Sequence, residues 1–438
     1  MDVVVTGIGL VSALGSLENS WKKLLLGELG IEQHQPFLEL EPRPLALIDP
    51  KPADLITLIR RVLADALQDA NLILPLPDCG IAIGSSRGFQ ANLEQLLREG
   101  SSATDSVTDL TDVTDGLKKS EGSSATDSVT NVTDVRQKEE GTGKKEEGRE
   151  FPLPDARFPI PDSFFPMPNS QFVNFLPHMG AIAVAREIGS TGPVLAPMAA
   201  CATGIWSIAQ AVDLIQNGLC QRAIAGAVEA PITPLTLTGF NQMGALAKTG
   251  CYPFDEDREG LVLGEGGALF VLESADLAMR RDAKIYGRVS GFGLTNDACY
   301  AIAPEVGGKS AIAAVNQCLK RSNLSALEID CIHAHGTATQ LNDQHEALLI
   351  QKLFPFGVAV SSTKGATGHT LGASGALGIA FSLMSIKKQI LLPCTGMRKP
   401  GFELDFVRCA RSTKVRNALC LSFGFGGQNA AIALTQYP

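Results

Sequence analysis

A cysteine that precedes a helical pattern is the strongest chemical signal in this sequence. Cys201 ends an apolar run over 192–200 and is followed by a helical pattern over Ile205–Gln216. A thiol at a strand-to-helix corner lies beside unpaired backbone N–H groups, at the positive end of the helix dipole. Both features favour the thiolate, which is the nucleophilic form, so we predict that Cys201 is a catalytic nucleophile. A buried structural cysteine is the ordinary alternative.

Two histidines follow, each at a glycine-marked corner. His335 lies in the segment IHAHGTAT, and His369 ends the segment SSTKGATGH. The chain then reaches a segment rich in glycine and phenylalanine, SFGFGGQN, over 422–429. Imidazole N–H groups that converge on one oxygen can stabilise negative charge there. The three motifs therefore offer one nucleophile and two groups that can stabilise developing charge.

The elements that position these residues follow an α/β pattern. Helical patterns separate many short apolar runs, which favours crossover units and a mainly parallel sheet. The predicted helices include Leu55–Ala70, Ile205–Gln216 and Lys309–Arg321. The predicted strands are Val3–Gly7, Cys79–Gly84, Pro193–Ala199, Arg222–Gly226, Ala268–Leu272, Lys284–Gly291, Ile329–Ala334, Val358–Ser362, Ala418–Phe423 and Ala430–Leu434.

The order of these motifs resembles that of the elongating, Cys-His-His type of β-ketoacyl-acyl-carrier-protein synthase. The segments VVVTGIG at Val3–Gly9 and PFD at Pro253–Asp255, which leads to GEGG, add to the resemblance. It covers most of the chain outside one insert. It implies the thiolase fold, with two similar βαβαβαββ halves in a five-layer αβαβα arrangement. We expect the halves at residues 1–282 and 283–438, usually in a homodimer.

The resemblance also implies the reaction. Cys201 would accept an acyl group from a carrier thioester, and His335 and His369 would stabilise the enolate formed when malonyl-acyl carrier protein loses CO2. Backbone N–H groups of Cys201 and Phe425 match the oxyanion donors. The expected function is therefore a decarboxylating Claisen condensation in fatty-acid elongation, with acyl carrier protein as partner and with no cofactor or metal.

Five further residues match supporting positions of the family. Lys364 matches a catalytic-site lysine, and Glu346 matches its carboxylate partner, although an ordinary salt bridge is an equal alternative. Phe425 matches the gate of the acyl tunnel. Asp343 and Phe423 are expected to support the site, and as sequence alone the phenylalanines are more often core contacts.

Three other readings of the motifs are weaker. His333 and His335, with Asp343 and His345 nearby, could form a metal site, but no further ligand motif of known spacing accompanies them. A thiolase would have a second cysteine in the terminal glycine motif, and Gly424–Asn429 contains none. A non-catalytic chain-length-determining partner subunit would have lost the nucleophile, which is present here.

Departures from the family pattern bear on the substrate. Gln428 stands where threonine is common, His333 replaces an asparagine or acidic residue, and Arg87 falls where the tunnel wall is small or apolar. The arginine would shorten the acyl pocket or face a dimer interface. A ketosynthase of a polyketide or specialised lipid pathway is therefore the alternative.

Composition agrees with a large enzyme. The 438 residues are 45% hydrophobic, which allows a sizeable core in two domains or a double domain. A net charge of −9 without a basic stripe argues against nucleic-acid binding. The ten cysteines lack paired or tight spacing, which indicates a reducing compartment. With no signal-like start and no uncharged run of spanning length, we expect a cytoplasmic protein.

One segment does not fit the enzyme pattern. Residues 101–150 contain no aromatic side chain, and SSATDSVT at Ser101–Thr108 recurs at Ser123–Thr130. Such a composition buries too little apolar surface to offset the entropy of ordering. We therefore expect a largely disordered, low-complexity insert over about 99–163, and a tolerated duplication is favoured over a partner-docking role.

Overall fold

A computed structural model describes residues 1–101 and 173–438 of the chain. Met1–Glu94 and Asn169–Pro438 form one unit, and Gln95–Pro168 form a second. The predicted insert over about 99–163 lies outside the described residues except for its first positions. The fold described below is that of the first unit.

The strands alternate with helices along most of the chain, as the sequence pattern predicts. The strands are β1 (Val3–Ser12), β2 (Gly15–Ser16), β3 (Glu32–His34), β4 (Arg43–Leu45), β5 (Cys79–Gly84), β6 (Val194–Leu195), β7 (Arg222–Glu229), β8 (Gly266–Ser274), β9 (Gly287–Asn296), β10 (Cys331–His333), β11 (Ala359–Ser361), β12 (Ile390–Leu391), β13 (Asp405–Phe406), β14 (Arg411–Ser412), β15 (Asn417–Gly424) and β16 (Gln428–Thr435). The helices are α1 (Leu17–Leu25), α2 (Leu55–Asp69), α3 (Gln90–Ser101), α4 (Met179–Ile188), α5 (Thr203–Gln216), α6 (Pro234–Gln242), α7 (Ala275–Arg280), α8 (Lys309–Ser322), α9 (Gln340–Leu353), α10 (Lys364–Thr367) and α11 (Ser374–Lys388).

One large sheet runs through the unit in the order β13-β11-β10-β15-β16-β9-β1-β8-β7-β5-β6. Its outer parts are parallel, since β10 pairs with β11 and β15, and β5 pairs with β6 and β7. Its centre, from β15 through β16, β9, β1 and β8 to β7, is antiparallel. The prediction of a mainly parallel sheet is therefore wrong for the centre. β15 and β16 are joined by a short turn, and such a turn connects only antiparallel strands.

The three largest clusters of the hydrophobic core define five layers. The middle cluster contains α5 and α11 and lies between the two parts of the sheet. A second cluster joins α2 and α4 to β5, β7 and β8, and a third joins α8 and α9 to β10, β15 and β16. The predicted αβαβα arrangement and the two βαβαβαββ halves are confirmed. The boundary near residue 283, between α7 and β9, stays a prediction.

The central helices owe their position to their sequence. α5 and α11 are apolar on almost every side, as expected for helices that are covered by sheets above and below. Gly204 lets the two helices approach, because a Cβ atom there would lie 2.6 Å from the backbone nitrogen of Ala376. By contrast, α2 is amphipathic, and its N-cap Asp54 accepts a 2.9 Å hydrogen bond from the Thr57 N–H.

Within residues 1–101 and 173–438, the helices are too short or too polar to cross a membrane.

Candidate active site

Cys201 lies in the turn between β6 and α5, two residues before the helix begins. The turn is tight, since Ala200 has a positive φ of 46° and Ala199 forms an isolated bridge with Cys201. Gly424 at the end of β15 packs directly against it, because a Cβ atom there would lie 3.0 Å from the Cys201 nitrogen. The Ser422 hydroxyl donates a 2.8 Å hydrogen bond to the Cys201 carbonyl oxygen. Strands of one half of the sheet thus hold the cysteine turn of the other half.

The two histidines converge on this cysteine. His335 follows β10 and His369 follows α10, and each is only 2% exposed. Their rings meet edge to face with centroids 5.4 Å apart. One ring nitrogen of each histidine and the Cys201 sulfur all lie within 4.8 Å of one another. The structure therefore brings together the three residues that the sequence nominated as catalytic.

Hydrogen bonds orient both imidazole rings. His335 Nδ1 lies 3.4 Å from Lys364 Nζ and 3.5 Å from Ser422 Oγ. A protonated lysine is only a donor, so this Nδ1 accepts and the proton of the neutral ring resides on Nε2. His369 Nδ1 lies 2.8 Å from Ser374 Oγ, a contact that allows either tautomer because a hydroxyl both donates and accepts.

Lys364 and Glu346 hold the His335 segment from two sides. Lys364 Nζ donates to the His335 carbonyl oxygen. The Glu346 carboxylate accepts hydrogen bonds from the backbone N–H groups of His335 at 2.6 Å and Gly336 at 2.7 Å. The two side chains also attract each other electrostatically, although their contacts are to the histidine segment.

Asp343 and Phe423 lie next to this segment. Asp343 accepts hydrogen bonds from the backbone N–H groups of Phe254 at 2.7 Å and Ala338 at 3.2 Å, and so ties two loops together. Phe423 contacts the His335 ring edge to face, with centroids 5.9 Å apart. Both residues support the position of His335 and lie beside the three converging groups.

Burial shifts the pKa of each of these ionisable groups in the direction that favours its neutral form. It raises the pKa of Glu346 to about 7 and that of Asp343 to about 6, and it lowers the pKa of Lys364. Burial and the Lys364 charge hold the pKa values of His335 and His369 well below their usual range. Both imidazoles are therefore neutral at physiological pH, in a form that can accept a proton or donate a hydrogen bond.

The resting state of Cys201 differs from the sequence expectation. Burial raises the pKa of its thiol to about 11, although Lys364, Arg87 and the Phe425 N–H act in the opposite direction. The prediction that its position at the helix start is enough to favour the thiolate is wrong for the resting protein, because desolvation outweighs these contributions. A neighbouring base must take the proton, and the neutral histidines are placed to do so.

A cavity of about 340 Å³ opens onto the three residues. Its wall is mostly apolar and includes Phe240, Leu261, Phe423 and Phe425. The backbone N–H of Phe425 donates a hydrogen bond to Cys201. A mostly apolar cleft with placed polar groups is typical of sites that bind small molecules and acyl groups.

The alternative metal site is not assembled. His333 is turned away from the cavity, with its Nε2 3.2 Å from Thr363 Oγ1. In the described ranges, the only grouping of His, Cys, Asp or Glu close enough to hold a metal ion is Cys201 with His335 and His369, and it excludes Asp343 and His345.

Two residues of the site were missed by sequence reasoning. Ser422 contacts both the Cys201 carbonyl and His335, and Glu229 is fully buried within electrostatic range of Cys201. Ser422 lies in the quoted terminal segment, so its motif was found but its role was not. Glu229 ends the apolar strand β7, and a carboxylate in such a position was the available signal.

The five-layer arrangement is that of the thiolase fold, and here its cavity holds one cysteine and two histidines. Residues 163–278 match the model of the beta-ketoacyl synthase N-terminal domain, and residues 286–398 match that of the C-terminal domain. The chain belongs to the β-ketoacyl synthase family, as the resemblance predicted.

Curated relatives and solved structures agree with this membership. The chain is 38% identical over 274 residues to 3-oxoacyl-[acyl-carrier-protein] synthase 2 of Synechocystis sp., covering 60% of this chain and 66% of that protein. It is 36% identical over 270 residues to nodulation protein E of Rhizobium meliloti, covering 60% and 67%. The chain thus spans about two thirds of the length of these relatives. The ishigamide ketosynthase/chain length factor has the same fold, with a TM-score of 0.81 at 24% identity over 100% of this chain and 99% of that one.

Proposed function

We propose that the protein is a 3-oxoacyl-acyl-carrier-protein synthase, which extends an acyl thioester by two carbons in fatty-acid elongation. The convergence of Cys201, His335 and His369 at the end of an apolar cavity is the observation that carries this proposal. A nucleophile beside two neutral imidazoles suits a reaction that first transfers an acyl group and then generates an enolate. The similarity to 3-oxoacyl-[acyl-carrier-protein] synthase 2 of Synechocystis sp. supports the same reaction.

The first step is acyl transfer. A neutral imidazole, His369 in one of its tautomers, takes the thiol proton of Cys201. The thiolate attacks the thioester carbon of acyl-acyl carrier protein, a new C–S bond forms, and the C–S bond to the carrier breaks. The departing carrier thiolate takes the proton back from His369. The N–H groups of Cys201 and Phe425 stabilise the oxyanion that forms between these events.

The second step is decarboxylation and condensation. The C–C bond to the carboxylate of malonyl-acyl carrier protein breaks, CO2 leaves, and the electron pair forms an enolate. The Nε2–H of His335 donates to the enolate oxygen, and His369 donates to it from the Nε2–H tautomer, which the Ser374 hydroxyl allows by donating to Nδ1. The enolate carbon then attacks the acyl carbon on Cys201, a C–C bond forms, and Cys201 departs as a thiolate. Lys364 and Glu346 serve as positioning residues, because both bind the backbone of His335.

We propose two assembly partners for this reaction. Acyl carrier protein delivers both substrates, and the 3-oxoacyl-acyl-carrier-protein synthase relatives support this partner. A second copy of the chain would pair along β6, a partly exposed strand at one end of the sheet, close to Met198, which is 56% exposed. We place the assembly in the cytoplasm, as the cysteine content favours.

Intact-protein mass spectrometry tests the proposal directly. Wild type incubated with acyl-acyl carrier proteins should gain the mass of one acyl group, and Cys201→Ala should gain none. Cys201→Gln should also gain none but should still release CO2 from malonyl-acyl carrier protein, because both histidines remain. Condensation at the wild-type rate by Cys201→Ala would overturn the proposal. A wild-type protein that accepts no acyl group and forms no product would instead indicate the non-catalytic partner subunit.

A further inference from the structure

Arg87 lies on a loop whose backbone is fixed by a buried carboxylate. The loop Ser85–Gly88 follows β5, and Glu229 lies beneath it with 0% of its surface exposed. Glu229 accepts hydrogen bonds from the Ser85 hydroxyl at 2.9 Å and from the N–H groups of Ser86 and Arg87. Because the loop is pinned in this way, the direction in which the Arg87 side chain leaves it is also fixed.

The Arg87 side chain reaches the gate of the cavity. Its guanidinium carbon lies 5.5 Å from the ring centroid of Phe240, which in turn stacks on Phe425 with centroids 6.0 Å apart. Phe240 and Phe425 line the cavity beside Cys201, whereas Arg87 does not. The guanidinium therefore lies against Phe240, one of the two rings that line the cavity, and is itself outside the cavity lining.

Among the residues that the structure describes, the charge of Arg87 has no carboxylate partner at ion-pair distance. In the two described stretches, ion pairs within 4.0 Å involve other arginines and lysines, and none includes Arg87. Glu229 directs its oxygens to the loop backbone and the Ser85 hydroxyl. The Arg87 charge reaches the site, since it is one of the groups that lower the pKa of Cys201.

Other groups beside Arg87 are polar as well. Gln90 Nε2 lies 3.2 Å from the hydroxyls of both Thr233 and Thr236, and Thr236 is one helical turn from Phe240 on α6. Glu94 accepts from Gln90 and Thr233, so its carboxylate is occupied by neutral donors. The region beyond the gate thus offers amide, hydroxyl and guanidinium groups.

A long alkyl chain is a poor match for such a region. It would displace water from the guanidinium and supply no acceptor in return, which costs free energy. A carboxylate at the end of a short chain would instead supply a charge-assisted and geometrically matched partner.

We propose that Arg87 determines acyl specificity, and that it favours short acyl groups on Cys201 that end in a carboxylate over alkyl chains of similar length. This inference rests on the proposed function, because it assumes that Cys201 carries the acyl group. It adds a substrate class, the half-thioesters of short dicarboxylic acids.

Competition between two acyl groups tests the inference. Wild type, Arg87→Leu and Arg87→Lys would each be incubated with equal amounts of glutaryl- and hexanoyl-acyl carrier protein, and the two adducts on Cys201 counted by intact-protein mass spectrometry. Arg61→Leu, which removes an exposed arginine from α2, is the matched control. Circular dichroism melting would verify that each variant is folded.

We expect wild type and Arg61→Leu to form mainly the glutaryl adduct. Arg87→Leu should shift the ratio toward hexanoyl by about tenfold to a hundredfold, the range for loss of one charge-assisted hydrogen bond. Arg87→Lys should recover part of the preference, because the charge remains. Equal ratios in wild type and Arg87→Leu would overturn the inference while leaving the proposed function intact. A wild-type protein that accepts neither group but does accept a longer alkyl chain would overturn the inference alone, and one that accepts no acyl group from any acyl-acyl carrier protein would overturn the proposed function.

Discussion

Two loops of the molecule are built by the same device and present different chemistry. In each half, the loop after a buried parallel strand is held by the carboxylate of a fully buried glutamate, Glu229 below Ser85–Gly88 and Glu346 below His335–Gly336. The second loop carries a histidine of the cavity and is also gripped by Lys364. The first loop carries Arg87, whose guanidinium contacts the Phe240 ring and forms no ion pair within residues 1–101 and 173–438. On our two proposals, the second loop is held rigidly because it carries a reacting side chain, and the first loop carries a charge that a ligand can meet.

Removal of the Glu346 carboxylate should have the largest effect on activity. Glu346→Ala frees two buried N–H groups and lets His335 move, so condensation should fall by about 100- to 1,000-fold. A steady-state assay of 3-oxoacyl product measures this. Glu346→Gln keeps one acceptor and should lose less, and Glu256→Ala is an exposed control. Wild-type activity in a folded Glu346→Ala protein would break the comparison.

Removal of the Glu229 carboxylate, below the first loop, should affect the choice of acyl group more than the rate of decarboxylation. Glu229→Ala releases the backbone below Arg87, so the glutaryl preference should drop by about tenfold. Release of CO2 from malonyl-acyl carrier protein should fall less than in Glu346→Ala, because His335 lies on the other loop. The two assays run side by side would show the contrast. If decarboxylation fell as steeply as in Glu346→Ala, the loops would not be functionally distinct.

Glycine replacements compare how tightly the two loops are packed. Both Gly336 and Gly88 have positive φ, at 41° and 55°. A Cβ atom at Gly336 would lie 2.8 Å from Phe254 and Ser362, whereas one at Gly88 would lie 3.1 Å or more from Pro177. We expect Gly336→Ala to lower the free energy of unfolding by about 3 kcal/mol and Gly88→Ala by about 1 kcal/mol. Urea denaturation would measure both, and equal losses would contradict the ranking.

Glu346 should also make a smaller, measurable contribution to the change of the free energy of unfolding with pH. Burial raises its pKa from 4.5 to about 7, so between these values the folded state binds more protons than the unfolded state. This group's contribution to the free energy of unfolding is therefore fully present below pH 4.5 and is lost as pH rises through 7. Glu346→Gln should flatten the decline between pH 5 and 7.5 by about 1–2 kcal/mol. If the curves of unfolding free energy against pH were parallel for wild type and Glu346→Gln, they would contradict the raised pKa of Glu346.

Much of the fold was predictable because its elements have strong local patterns. The strand Cys79–Gly84 was predicted with its observed bounds, and helix Leu55–Asp69 within one residue, because each carries uninterrupted apolar spacing and clear ends. The antiparallel centre was not predicted, although the six residues between Phe423 and Ala430 already favoured a hairpin. The alternation of helices and strands does not show that two strands are antiparallel, whereas a short connecting turn does.

The site was predictable where a motif carries it and was missed where a tertiary contact creates it. His335 and His369 stand in recognisable segments, and the structure places both beside Cys201. Glu229 acts on Ser86, a residue 143 positions away, and no local pattern encodes such a contact. The protonation state of Cys201 was wrongly expected for the same reason, since the surrounding core decides how much water the sulfur loses.

The hydrogen bond from Ser422 to the Cys201 carbonyl has a consequence for assembly. The nucleophile turn comes from one half of the sheet, and the serine, both histidines and the Phe425 N–H come from the other. Neither half alone contains a complete reaction centre. Under the proposed function, transfer of an acyl group to Cys201 therefore requires both halves of the sheet to be in place.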